Sequence, residues 1–314
     1  MEAIMPLIHT QQISVLSFLD SVPVLSFLLS QVGEQAIIGP QTPPSLAFGC
    51  LTTLSIFGLD SLQEGLTLGR FKDFLSAIPQ LKTLELQYNM AFDSVTPADN
   101  AAVALPMLEN LTIIEATLFV CIFLDTLSAP VLRQLKLLAW DPDGLATSCL
   151  FVNNNASRLR KSPRFPKLRN LTLSSTPDGV FMHTDFLGAF PRVTHLTLGT
   201  PIVFYADTNE AAALAMLRWL KHLTFDFAFK DAEDAVRHMD MRPCFNWLRK
   251  SNNQADRPLL ISLLDRSTES MQDADKHLFR YYKELQQFGK FDGGSSRLDE
   301  FIRWQADGEP EIHG

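Results

Sequence analysis

The chain is poor in the residues and patterns that announce chemistry. Its four cysteines, Cys50, Cys121, Cys149 and Cys244, stand far apart and form no CxxC pair. That spacing speaks against a zinc or disulfide framework and suggests a reduced intracellular chain with partly buried thiols. GxSxG, HExxH, GxxxxGK[ST] and GxGxxG are all absent, so no nucleophile elbow, helix-borne zinc pair or glycine-rich phosphate cradle is spelled out. The expectation is therefore a protein that is not an enzyme, with no catalytic residues, no metal and no cofactor. A basic excess is also missing. The net charge is −8 and the pI about 5.4, which gives no overall field for nucleic acid or an anionic membrane. Nor is there a long uncharged apolar run. The richest stretch, residues 13–32, contains Asp20 and Pro23 and follows no basic residue. It fits neither a signal peptide nor a spanning helix, and is read as core, part of an irregular leader or degenerate first repeat over residues 1–45. The expected compartment is cytoplasmic or nuclear.

What the chain does have is a repeat. A leucine or its equivalent is followed after two residues by an apolar residue, and after one more by another. The copies are Leu51-Leu54-Ile56, Leu81-Leu84-Leu86, Leu108-Leu111-Ile113, Leu132-Leu135-Leu137, Leu168-Leu171-Leu173, Val193-Leu196-Leu198 and Leu220-Leu223-Phe225. Their first positions are separated by 30, 27, 24, 36, 25 and 27 residues. Pro79, Pro106, Pro130, Pro166 and Pro191 each stand two residues before an opening position. In a chain that is 46% hydrophobic, chance supplies one or two such matches, not seven with shared prolines. A period in the twenties with this core marks a leucine-rich repeat. The expected fold is α/β: a leucine-rich-repeat solenoid with a parallel sheet on its concave face and a helical C-terminal cap.

The alternation within each copy makes a short strand with two inward side chains. One unit cannot bury that apolar face alone, and stacking strand beside strand makes a continuous core. The outward residues are then Thr53/Ser55/Phe57, Thr83/Glu85/Gln87, Asn110/Thr112/Ile114, Gln134/Lys136/Leu138, Asn170/Thr172/Ser174, His195/Thr197/Gly199 and His222/Thr224/Asp226. Two of these columns are wholly polar. The third holds Phe57, Ile114 and Leu138, and the last two fall on successive strands. They form an exposed apolar patch unless the adjoining loop covers them.

Residues 46–230 carry the repeats and residues 231–314 the last repeat and the cap. Residues 66–78 and 211–220 have helical character between strands, while 87–100 and 141–164 look like loops. Helices are expected at 232–241, 243–250, 273–288 and 297–305, and a final strand at 257–264, opened by Pro258.

Two charged features stand apart from the repeat. Arg158, Arg160, Lys161, Arg164, Lys167 and Arg169 crowd twelve residues of an otherwise acidic chain. They read as a solvated loop face or as a contact for an acidic or phosphorylated partner. His195 and His222 share a column and would lie about 5 Å apart on neighbouring strands. With no third ligand nearby, an ordinary surface pair outweighs a metal or a pH-sensitive contact. The candidate partner-binding residues are Thr112, Ile114, Gln134, Lys136 and Leu138, with Arg158, Arg160, Lys161 and Arg164.

The repeats in the form Pro-x-Leu-x-x-Leu-x-Leu, together with the ending at residues 259–310 (LLISLLDRS…LFRYYKELQQFGKFDGGSSRLDEFIRWQADGEP), resemble the F-box/leucine-rich-repeat-like proteins of mushroom-forming fungi over residues 46–310. The resemblance implies a substrate-recognition region of an F-box-type ubiquitin ligase, with an unknown protein as substrate. Residues 1–45 offer only Met5-Pro6-Leu7-Ile8 where an F-box has its Leu-Pro-x-Glu opening. Skp-adaptor binding is therefore implied only if an F-box lies upstream, and a free-standing repeat scaffold is the alternative. Neither nucleic acid nor a membrane is an expected partner.

Overall fold

Where a repeat has its proline, that residue opens the repeat by building a turn. In the computed structural model, Leu81 N–H donates to Ile78 O across Pro79 at 3.2 Å, Leu108 to Leu105 across Pro106 at 3.2 Å, Leu132 to Ala129 across Pro130 at 3.1 Å, and Leu168 to Phe165 across Pro166 at 3.1 Å. Val193 N–H donates to Phe190 O at 3.2 Å. The proline takes the second position of a four-residue turn, where its fixed φ is already correct and no N–H is required. The residue before it is buried in each case, so the turn is pinned from inside.

The structure describes residues 15–19, 50–57, 68–87, 102–114, 123–124, 126–140, 165–175, 180–183, 190, 192–199, 202–205, 219–227, 259–265, 283–287 and 289–291. The chain divides into two compact units, Met1–Arg169 and Asn170–Gly314. The first unit holds β1 (Val15–Leu19), β2 (Thr53–Phe57), α1 (Leu68–Ser76), β3 (Thr83–Gln87), β4 (Val103–Ala104), β5 (Asn110–Ile114), β6 (Leu127–Ser128) and β7 (Gln134–Trp140). Its main sheet is parallel, in the order β1-β2-β3-β5-β7, and the short β4 and β6 make a separate parallel pair. The second unit holds β8 (Asn170–Ser175), β9 (Val180–His183), β10 (His195–Gly199), β11 (Ile202–Tyr205), β12 (His222–Phe227), β13 (Leu259–Asp265) and β14 (Gly289–Phe291). Its main sheet runs β8-β10-β12-β13-β14, again parallel, with β9 and β11 as the separate pair. The fold is α/β with a large parallel sheet and few helices among the described residues.

Repeats are tied together just before each strand. The carbonyl of Thr52 accepts from Lys82 and Thr83 N–H, that of Lys82 from Glu109 and Asn110, and that of Glu109 from Arg133 and Gln134, at 2.8–3.1 Å. Thr194 O serves Lys221 and His222 in the same way, at 2.9 and 3.0 Å. One carbonyl, with two lone pairs, thus braces two donors of the next repeat.

All fourteen inward residues of the seven copies are at most 2% exposed. Six of the seven opening positions are buried as well, and Leu220 is half-buried. α1 lies within the helix expected at 66–78. It buries Phe71, Phe74 and Leu75, and the Phe71 ring meets Phe123 at 6.2 Å between centroids. The strand expected at 257–264 is β13, where Ile261 is fully buried opposite Leu223. Expectations for residues 88–100, 141–164, 211–218, 232–250, 273–282 and 297–305 lie outside the described residues. No described helix is long and apolar enough to cross a membrane.

Candidate partner-binding face

The register of the first unit's sheet fixes which outward side chains are neighbours. One column runs Thr53, Thr83, Asn110, Gln134, and a second runs Ser55, Glu85, Thr112, Lys136. A third places Gln87 beside Ile114 and Ile114 beside Leu138. Adjacent members are about 4.8 Å apart across the sheet. The five expected residues of the face, Thr112, Ile114, Gln134, Lys136 and Leu138, are therefore brought together on β5 and β7. All five are half-buried, so each keeps surface for a partner while its base is held by the sheet. Arg158, Arg160, Lys161 and Arg164 lie outside the described residues.

Polar neighbours hold one another in place. Ser55 Oγ donates to a Glu85 carboxylate oxygen at 3.5 Å, and Asn110 Nδ2 donates to Thr83 Oγ1 at 3.4 Å. Ser55 is 8% exposed, so its hydroxyl needs this partner. On the second column Glu85 and Lys136 flank Thr112 with opposite charge. The chemistry on offer is hydrogen bonding across two polar rows, a charge of each sign, and one aliphatic pair at the strand ends.

In the second unit the corresponding columns are Asn170, His195, His222, Leu260 and Thr172, Thr197, Thr224, Ser262. The His195 and His222 rings stand 5.6 Å apart, tilted by 52°. His195 Nδ1 shares a hydrogen with Thr194 Oγ1 at 2.9 Å, and His222 Nε2 with Ser262 Oγ at 2.6 Å. Desolvation lowers the His195 pKa first, and the neighbouring His222 and Lys221 charges lower it further. Among the described residues no group of three or more His, Cys, Asp or Glu side chains is placed to hold a metal.

Sequence reading passed over what surrounds this pair. Trp219 is 52% exposed and Leu260 36% exposed, and Arg192 and Lys221 are exposed. The available signal was repeat position. Arg192 and Trp219 both precede an opening residue, and Thr194 and Lys221 both follow one. Ser262 needed the register of β13, which Pro258 alone does not fix.

No protein-family model matches the chain, and no curated protein matches it. Among solved structures, the crystal structure of a Bacteroides fragilis protein, a structural-genomics target, is similar to this chain with a TM-score of 0.42 and 12% sequence identity. The likeness covers 89% of this chain and 65% of that one, so the chain spans less than two thirds of that protein's length.

Proposed function

We propose that the chain is a leucine-rich-repeat protein that acts without catalysis, binding a protein partner on the sheet face carried by β5 and β7. The observation that carries this reading is the register that sets Ile114 beside Leu138 at the border of two polar columns. An aliphatic anchor flanked by polar groups and one half-buried charge of each sign is the composition of a small binding centre with a wet rim. Strands on a braced sheet keep those groups fixed, so little side-chain order has to be created on binding. The substrate-recognition role in an F-box-type ubiquitin ligase rests on the sequence resemblance and is the specific form of this proposal. A free-standing scaffold would use the same face.

The test is to place a photo-crosslinking residue at Lys136, and as a reference at exposed Met107 on the turn before β5, and to identify what each captures. Binding of the captured partner is then timed with Leu138→Ala and with charge reversal at Arg160 and Lys161. The expected outcome is faster dissociation for Leu138→Ala and slower association for the charge reversal. Parental kinetics for both variants would place the site elsewhere.

A further inference from the structure

We propose that the leading edge of β10 and β12, in the second unit, binds an acidic peptide segment, and that the His195–His222 pair tightens this binding as the pH falls. The proposal goes beyond the face on β5 and β7. It uses none of those residues and stands or fails separately.

Three repeat positions build the edge. The first carries Arg192 and Trp219, the second Thr194 and Lys221, and the third His195 and His222. Neighbours across the two strands are about 4.8 Å apart, so two permanent cations and two imidazoles fall on a patch a few residues wide. Arg192, His195, Lys221 and Trp219 are all exposed and His222 is half-buried. Among the described residues this is a local excess of positive charge on a chain of net charge −8. A short acidic peptide is drawn to such a patch, while a long polyanion would also meet the acidic remainder.

Among the described residues, the charged and titratable groups around the pair are few. β8 presents Asn170 opposite His195, and β13 presents Leu260 and Ser262 near His222. Lys221 adjoins His222 along the chain, and Arg192 stands three residues before His195. Asp226 lies four residues further along β12, about 13 Å away, opposite Gly199. Lys283 and Glu284 precede β14, which pairs with β13 and not with β12. No described carboxylate thus shares the column of the two imidazoles.

Protonation of His195 is opposed first by desolvation and then by the neighbouring His222 and Lys221 charges. A peptide carboxylate laid across the edge would cancel that repulsion and favour the imidazolium form. Binding is then coupled to proton uptake, and affinity rises as pH drops through the histidine range. Trp219 adds a flat apolar surface against which peptide side chains can pack.

The experiment uses the full chain and a labelled Asp/Glu-rich peptide, with its Asn/Gln counterpart as control. Affinities are measured by fluorescence anisotropy at about pH 7.5 and about pH 5.5 at constant ionic strength. The acidic peptide should bind and the neutral one should not. Its affinity should rise about two- to fivefold at the lower pH, the size of one or two exposed ion pairs. Arg192→Gln and Lys221→Gln should each weaken binding at both pH values. His195→Gln should remove most of the acid-dependent increment. Circular dichroism confirms that each variant is folded, and the three exposed positions give independent readings. Equal binding of the two peptides, an increment that survives His195→Gln, or tighter binding of a single-stranded oligonucleotide of equal charge would overturn the proposal.

Discussion

A β-carbon added at Gly199 would lie 2.6 Å from Ser174 Oγ, 2.8 Å from Ser174 Cβ and 2.9 Å from Ser174 Cα. The hydroxyl could rotate away, but the backbone carbon cannot. Gly199→Ala should therefore force β8 and β10 apart and destabilise the second unit by about 1–3 kcal/mol, the usual cost of overpacking, as read from urea denaturation. Ser174→Ala should not rescue it, because the closest remaining contacts are to Cβ and Cα. His195 makes a second prediction at this scale. Its folded pKa is depressed, so the stability at issue is present above the unfolded value of about 6.5. It is lost as the pH falls through that value toward the lower folded one, since the unfolded chain takes the proton more readily. Parent and His195→Gln should differ in stability more at about pH 5.5 than at about pH 7.5, with the variant the less acid-sensitive. The side chain is exposed, so the difference should be small. The sequence made the histidine pair visible, because equal repeat positions imply one column. It could not reveal the Gly199–Ser174 approach, which depends on how closely two backbones pass.

The proline-bearing repeats do two jobs in a fixed order: a proline turn aims the chain, and a strand then buries two side chains. The turn contributes mainly by restricting the unfolded chain, so Pro106→Ala should cost only about 0.4–1 kcal/mol. The buried leucines contribute burial and packing. Leu111, Leu135 and Leu171 are each at most 1% exposed, and replacing any of them by Ala should cost about 2–5 kcal/mol. Chemical denaturation of the four variants checks both the ranking and the size. Neutral behaviour of all three leucine variants would remove the basis of the register. These strands were legible because alternation of period two repeats seven times at similar spacing. The paired short strands β4 with β6 and β9 with β11 were not. Two to four residues carry too little periodicity to be read, and their partner lies a whole repeat away.

At the scale of the molecule, two units each carry their own buried residues and parallel sheet. In the second, β14 covers the outer edge of β13 and Leu285 is fully buried just before it. A chain ending at residue 282 would lose both and leave the β13 edge unpaired. Such edges invite pairing with other chains, so this truncation should melt lower and self-associate, as light scattering would show. A monomeric truncation with unchanged melting would contradict it. The apolar character of this end was legible in sequence, but its short last strand was not, since Gly289-Lys290-Phe291 has no repeat signature.

Everything argued for the face depends on the copies in the first unit stacking strand beside strand in a single register. Cysteine pairs test that directly. Thr112 and Lys136 are partners on β5 and β7, where the Cα separation of about 4.8 Å falls within the range a disulfide spans. Thr112→Cys with Lys136→Cys, oxidised and mapped by mass spectrometry, should give the 112–136 bridge in high yield. Thr112→Cys with Leu138→Cys, offset by two residues to about 8 Å, should give little. The reverse pattern, or equal yields from both pairs, would contradict the register and with it the binding face.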